Sequence, residues 1–263
     1  MHPVLIDFGF FRLHTYGACM ALGFLLSWKL VERISGRRDL ADLIMYLLAG
    51  GVIGSRIAYV IEHWTSEFAA NPAMIVRVDK GGLVFYGGLI LSMLIFFAWC
   101  ALKRERPLAL ADLLCVVVPL GHAFGRVGCF FYGCCWGRIS ASPLAVSFPR
   151  HSPAWYDQLS HGLIDQSAPA SLPVFPTQLF EASALLALFA VLLAIYLKWR
   201  RHTAGVYLIC YAALRFGMEY LRGDPRAAVL GLSIGQTISL GMALAGAAFI
   251  AIGARNVPRK DLD

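Results

Sequence analysis

The chain has 263 residues, of which 59% are hydrophobic and 15% charged, and its mean hydropathy is +0.66. A soluble domain carries about 25% charged residues, so this composition excludes an ordinary soluble protein and indicates an integral membrane protein. The formal charge of +7 does not indicate nucleic-acid binding, because the basic residues lie in short clusters between apolar runs, as in membrane-protein loops.

About seven apolar runs are long enough to cross a bilayer as helices, which requires roughly 17–25 residues. They are 13–31, 40–61, 83–102, 110–127, 178–197, 205–221 and 232–253. Basic clusters follow the first, third, fifth and seventh runs. The positive-inside rule places such clusters in the cytoplasm, so we expect the N-terminus outside and the C-terminus inside. The predicted fold is an all-α membrane protein.

The longest polar connection, 129–176, lies between the fourth and fifth runs and is rich in Pro, Ser and aromatic residues. Such a composition predicts irregular structure with short helices. We expect it to form a small extracytoplasmic head, inserted into a single polytopic membrane domain that covers 1–263. No internal repeat is evident, which weighs against the inverted-repeat plan of many transporters.

The fourth run ends in a segment that concentrates polar groups, GHAFGRVGCFFYGCCWGR at 121–138. A charge at membrane depth costs a few kcal/mol or more unless it is paired or hydrated, so Arg126 must meet a polar partner. Further charged residues lie within or at the edges of the runs: Arg56, Asp112, Glu181, Arg215, Glu219 and Arg222.

Two interpretations of these charges are possible. Several arginines can hold an anionic headgroup, because a guanidinium donates two parallel hydrogen bonds to a phosphate. Alternatively, the charges are structural ion pairs between helices. We favour the first for Arg56, Arg126 and Arg215, because arginines outnumber the carboxylates expected at that level. Asp112 is expected to act as a helix N-terminal charge or cap.

Two pairs of glycines, Gly81-Gly82 and Gly87-Gly88, lie where the third run begins. An interrupted helix here would direct free N–H groups at an anion. The alternative is close helix packing through small residues.

Six motifs occur in one order along the chain. They are LHTYG at 13–17, GSRIAY at 54–59, YGGLI at 86–90, the block at 125–138, PTQLFE at 176–181 and LRFGMEYLR at 214–222. In order and spacing they resemble the bacterial prolipoprotein diacylglyceryl transferase family over nearly the whole chain.

The resemblance implies a seven-helix enzyme of the bacterial inner membrane with a periplasmic head. Such an enzyme transfers the diacylglyceryl group of phosphatidylglycerol to the lipobox cysteine thiol of a prolipoprotein and releases glycerol 1-phosphate. The expected partners are therefore this phospholipid and a prolipoprotein signal peptide. By position, Arg126 and Arg215 would bind the headgroup, and Tyr16, Gly137, Glu181 and Glu219 fall at positions that the family treats as functional or supporting.

The chain departs from the family at three positions: Tyr86 replaces a histidine, Cys129 an asparagine and Cys134 a glutamate. The general base is therefore open. His122 precedes Arg126 by one helical turn and titrates in the useful range, so it is the candidate base, with a hydrogen-bonded packing histidine as the alternative. The predicted catalytic set is His122, Tyr86, Arg215 and Glu219. The predicted substrate-binding set is Arg126, Tyr16, Arg56, Gly87, Gly88, Gly137, Glu181 and Arg222.

Three cysteines, Cys129, Cys134 and Cys135, admit several interpretations. On an oxidising outer side, Cys129 would form a disulfide with Cys134 or Cys135. Zinc also takes Cys and His ligands, and a reactive thiol or passive packing are further alternatives. Neither a cofactor nor a bound metal ion is predicted. Rival functions are a related phospholipid-dependent transferase with another acceptor, an anionic-solute transporter and a non-catalytic lipid-binding scaffold.

Overall fold

The computed structural model describes residues 4–7, 12–77, 81–224, 228–229 and 231–255. Within these ranges the helices are α1 Thr15–Ser35, α2 Arg38–Glu62, α3 Phe85–Lys103, α4 Pro107–Tyr132, α5 Pro153–Ser160, α6 Thr177–Trp199, α7 Thr203–Glu219 and α8 Ile234–Arg255. Two antiparallel strand pairs are short: β1 Val4–Asp7 with β2 Arg12–His14, and β3 Ala228–Val229 with β4 Leu232–Ser233. A π-helical turn, Trp64–Phe68, and a 3-10 turn, Pro72–Val76, follow α2.

Five of these helices, α2, α3, α4, α6 and α8, are long and apolar enough to cross a membrane. The chain is therefore mostly helical, with the character predicted for an all-α membrane protein. Helices α1 and α7 lie on the first and sixth predicted runs but do not meet both the length and the apolarity requirement.

The helices form two compact units, residues 28–110 and residues 1–27 with 111–263. In the 28–110 unit, α2 and α3 approach each other through glycines. A Cβ added to Gly54 or to Gly87 would clash with the carbonyl oxygen of the other residue, and a Cβ on Gly88 would meet the Gly51 carbonyl. Only glycine permits this close approach of two helix backbones.

In the other unit, Asp112 of α4 caps the N-terminus of α7. Its carboxylate accepts hydrogen bonds from the backbone N–H groups of Ala204, at 2.8 Å, and His202, at 3.1 Å. The Thr203 hydroxyl donates to the Asp112 carbonyl at 2.5 Å. The side chain thus serves as a cap, as the sequence predicted, but for a neighbouring helix.

The connection between α4 and α6 is irregular and contains the short helix α5, as its composition predicted. Its own small core contains Trp136, Phe148, Ala154 and Val174. Helix α4 continues past Cys129 to Tyr132 and ends before Gly133, whose φ of +84° is not helical. Cys129 therefore lies on α4, whereas we expected the connection to begin there.

Candidate active site

An ion pair between α4 and α6 lies at the centre of the candidate site. Arg126 Nη2 is 2.9 Å from Glu181 Oε1, with the glutamate fully buried and the arginine 13% exposed. His122 Nε2 lies 3.8 Å from the same oxygen. The two α4 side chains, one helical turn apart, therefore both face Glu181.

The hydrogen-bonding capacity of this pair is only partly used. Arg126 Nε is buried without a hydrogen-bond partner among the residues that the structure describes, and neither Glu181 oxygen receives a well-directed hydrogen bond from them. Buried polar groups in native proteins normally have partners. The pair can therefore bind a further polar group without first losing a hydrogen bond.

A second buried pair lies on α7, where Arg215 Nη2 is 2.6 Å from Glu219 Oε2. A Cβ added to Gly235, at the start of α8, would lie 2.9 Å from each of these two atoms. The glycine thus lets α8 cover the pair. His122 interacts electrostatically with both Arg126 and Arg215, so α4, α6 and α7 bring their charged groups to one region.

Arg222 follows α7 and forms a bidentate pair with Asp224, with both N···O distances 2.8 Å. It also hydrogen-bonds the Cys135 thiol and interacts electrostatically with Arg126. The neighbouring Cys129 and Cys134 thiols, with the charge of Arg222, lower the pKa of the Cys135 thiol.

Gly137 and Tyr16 occupy tightly packed positions in the same unit. Gly137 forms an antiparallel bridge with Arg222, and a Cβ there would lie 2.7 Å from the Leu221 carbonyl oxygen. Tyr16, at the start of α1, packs on Gly128, and it interacts electrostatically with Arg126 and the three clustered cysteines. Both predicted residues therefore lie beside the charged groups.

Each arginine of this site has one carboxylate partner in the described part of the unit: Glu181 for Arg126, Glu219 for Arg215 and Asp224 for Arg222. These three arginines are thus paired with carboxylates, whereas Arg56, the other arginine of the sequence argument, belongs to the 28–110 unit. The headgroup role of Arg56, Arg126 and Arg215 stays a prediction.

Arg56 belongs to the 28–110 unit, and its surroundings differ from those of the other predicted arginines. All five of its N–H donors are used, because the guanidinium donates to the carbonyls of Met74, Ile75, Arg77, Gly81 and Gly82. The residue is 8% exposed. Binding a headgroup would require these bonds to break, which favours the structural alternative for Arg56, and its role toward a substrate stays a prediction.

Tyr86, Gly87 and Gly88 lie in the first turn of α3 in that same unit. Tyr86 is 53% exposed. The close α2–α3 packing accounts for both glycines, in agreement with the packing alternative. Their roles toward a substrate stay predictions.

Several residues of the site were missed by the sequence argument. Tyr211 lies one turn before Arg215 on α7, interacts with Arg126, and its ring is 5.4 Å from the His122 ring. Thr177 and Gln178 hold the carbonyls of Cys135 and Cys134, at 2.8 and 2.6 Å. An i, i+4 spacing to Arg215 was the available signal for Tyr211, and the PTQLFE motif was the signal for the other two.

Comparisons with known proteins show which family the chain belongs to. A family model described as prolipoprotein diacylglyceryl transferase matches residues 3–252. The phosphatidylglycerol–prolipoprotein diacylglyceryl transferase of Pseudomonas paraeruginosa is 32% identical, over 94% of this chain and 92% of that protein. The protein of the same name from Bordetella bronchiseptica is 33% identical over 96% and 95%, and transferase 2 of Clostridium perfringens is 30% identical over 94% and 93%. The chain therefore belongs to the prolipoprotein diacylglyceryl transferase family, as its motifs predicted.

Proposed function

We propose that this chain transfers the diacylglyceryl group of phosphatidylglycerol to the lipobox cysteine thiol of a prolipoprotein and releases glycerol 1-phosphate. The relatives' names state this donor, this class of acceptor and this transfer. The structural observation that carries the proposal is the Arg126–Glu181 pair, which faces His122 and in which Arg126 Nε is buried with no hydrogen-bond partner among the described residues.

In the proposed reaction, the acceptor thiolate attacks the glyceryl carbon and the phosphate leaves with the electrons of the broken C–O bond. Arg126 and Arg215 hold the headgroup and stabilise the charge that develops on the leaving phosphate. Glu181 and Glu219 orient these two guanidiniums. His122 is the proposed base, since an ordinary thiol, with a pKa of about 8.5, is mostly protonated at neutral pH.

The proposed substrate site is bordered by Tyr16, Gly137 and Arg222, which lie near the charged pairs. Tyr86, Gly87 and Gly88 remain candidates for contacts with the acceptor or the lipid. The alternative is a phospholipid-dependent transferase with a different acceptor, since Cys129 and Cys134 differ from the family pattern.

In the membrane, we propose seven spanning helices, with α1 and α7 crossing together with the five longer or more apolar ones. The protein then lies in the bacterial inner membrane as a single polytopic domain of residues 1–263, with 129–176 forming the periplasmic head. Basic residues in the last turns of α1, α3 and α6, namely Arg33, Lys103 and Lys198, support a cytoplasmic side for these ends.

The test uses purified protein in detergent, phosphatidylglycerol and a fluorescent lipobox peptide, with a Cys→Ser peptide as the control. We expect a diacylglyceryl mass gain on the cysteine peptide alone, matched by glycerol phosphate release, and loss of both in Arg215→Ala. Glycerol phosphate release without peptide modification would indicate another acceptor. Folded protein that neither turns over nor binds the lipid would overturn the transferase proposal and favour a transporter.

A further inference from the structure

The thiols of Cys129, Cys134 and Cys135 converge on one point beside the proposed substrate site. Their three sulfur atoms all lie within 4.8 Å of one another. All three are free thiols and are only partly buried. Three convergent sulfur atoms with access to the surface form a set of ligands that soft or borderline metal ions prefer.

The backbone around the cluster is fixed in a way that passive packing does not require. The Cys129 carbonyl accepts from the N–H groups of Gly133, at 2.9 Å, and Cys134, at 3.2 Å. Cys135 has φ of +64°, a left-handed conformation that costs about 1–3 kcal/mol for a residue other than glycine. Hydrogen bonds from Thr177 and Gln178 to the two cysteine carbonyls hold this conformation. This conformation places the Cys135 thiol beside those of Cys129 and Cys134.

The distances fit a zinc-type ion. Zinc binds cysteine sulfur at about 2.3 Å, so tetrahedral geometry places neighbouring sulfur atoms about 3.8 Å apart. Sulfur atoms no more than 4.8 Å apart reach this spacing by side-chain shifts of about 1 Å or less. Three protein ligands leave a fourth position open, which is the arrangement of catalytic rather than structural zinc sites.

The charges of the side chains near the three thiols are also compatible with thiolate ligands. Three thiolates and a divalent cation carry one net negative charge. Arg222 hydrogen-bonds Cys135, and Arg126 interacts with Cys129 and Cys135. Neighbouring guanidiniums stabilise thiolates, and part of their charge is already balanced by Asp224 and Glu181.

We propose that Cys129, Cys134 and Cys135 bind one divalent cation of the zinc class, and that the acceptor thiol of the proposed transfer occupies its fourth position. The second part rests on the proposed function. A thiol that coordinates such an ion is deprotonated outright, so the ion would keep the acceptor thiol in its reactive thiolate form.

The proposed transfer to the acceptor thiol requires no further reagent. The acceptor thiol gives its proton to the base of the site and coordinates as a thiolate. Its sulfur forms a bond to the glyceryl carbon, and the carbon–oxygen bond to phosphate breaks. The electron pair leaves with the phosphate oxygen of glycerol 1-phosphate. The thioether product is a weaker ligand than a thiolate and dissociates from the ion.

The test begins with metal binding alone. Reduced, chelator-treated protein in detergent is titrated with Zn²⁺ and, as a spectroscopic probe, Co²⁺. We expect about one ion per chain and the visible bands of tetrahedral thiolate coordination, both lost in Cys134→Ser and in Cys129→Ser. Cys210→Ser, which removes an exposed thiol of α7, is the control and retains both. Thermal unfolding of each metal-free variant checks that it is folded.

Addition of the lipobox peptide then tests the fourth position. A shift of the cobalt bands with the cysteine peptide, and none with the Cys→Ser peptide, is expected. Binding that is equal in wild type and Cys134→Ser, or a disulfide among the three cysteines in protein isolated without reductant, would overturn the metal site. Unshifted bands, or full transfer by metal-free protein, would overturn the role of the ion while leaving the transferase proposal intact. Metal binding with a peptide shift but no transfer would count against the transferase reaction alone.

Discussion

Arg56 is a buried and Arg126 a largely buried arginine of an apolar helix, yet their surroundings differ. Arg56 donates to five backbone carbonyls, whereas Arg126 faces a buried carboxylate and a histidine and keeps Nε without a partner among the described residues. The first arginine is saturated by the chain itself. The second retains capacity for a ligand. The partners of a buried charge, more than its depth, therefore separate a structural arginine from a candidate binding group.

The largest effect is expected from Glu181→Gln, which removes the charged partner of Arg126 and His122. Breaking a buried pair leaves an uncompensated charge and costs about 3–5 kcal/mol, and loss of an oriented electrostatic group lowers turnover about a hundredfold. Thermal unfolding and glycerol phosphate release measure the two effects.

The matched control is Glu105→Gln, which breaks the exposed Arg37–Glu105 pair, in which the side chains are 45% and 25% exposed. An exposed pair contributes about 0–1 kcal/mol, so little change is expected. Equal losses in the two variants would contradict the distinction between a buried functional pair and an exposed one.

Arg56→Lys is expected to lower stability without affecting the chemistry. Lysine has three donors, so at least two of the five carbonyls lose their partner, at about 1–3 kcal/mol for each one that stays buried. The melting temperature should fall by about 5 °C or more, while the rate per folded molecule stays at the wild-type level. An unchanged melting temperature would show that the hydrogen bonds from Arg56 to the backbone carbonyls do not stabilise the 28–110 unit.

Gly87→Ala separates helix packing from ligand binding in the 28–110 unit. The added Cβ meets the Gly54 carbonyl and the Ala58 side chain, so overpacking should cost about 1–3 kcal/mol. Gly241→Ala, in α8 with no atom within 4 Å of the added Cβ, is the control and should be neutral or stabilising by up to about 1 kcal/mol. A change in the KM for phosphatidylglycerol at unchanged stability in Gly87→Ala would favour the ligand role instead.

The smallest effect is expected from Asp112→Ala, which removes the cap of α7. Loss of such a cap costs about 1 kcal/mol, so the melting temperature should fall by about 2–4 °C. The rate should change little, because the cap lies at the opposite end of α7 from Arg215. A loss of more than tenfold in turnover would place Asp112 in the catalytic machinery.

The apolar runs predicted the positions of the long helices because burial in lipid is encoded locally, in runs of consecutive residues. The convergence of His122 and Arg126 followed from helical spacing. The saturation of Arg56 did not, because its acceptors are main-chain carbonyls of a connection about twenty residues later. The proximity of the three cysteines was expected from their spacing in the sequence, but the left-handed backbone of Cys135 was not, because residues other than glycine rarely adopt it. Asp224 was overlooked because it lies outside the apolar runs.

One side-by-side measurement tests the central claim most directly. The rate of glycerol phosphate release, divided by the fraction of folded protein, is compared for wild type, Arg126→Lys and Arg56→Lys. Both changes keep the positive charge and remove the planar fork. We expect Arg126→Lys to fall about a hundredfold and Arg56→Lys to equal wild type. An Arg126→Lys enzyme with the wild-type rate, or a loss confined to Arg56→Lys, would contradict the placement of the site on α4, α6 and α7.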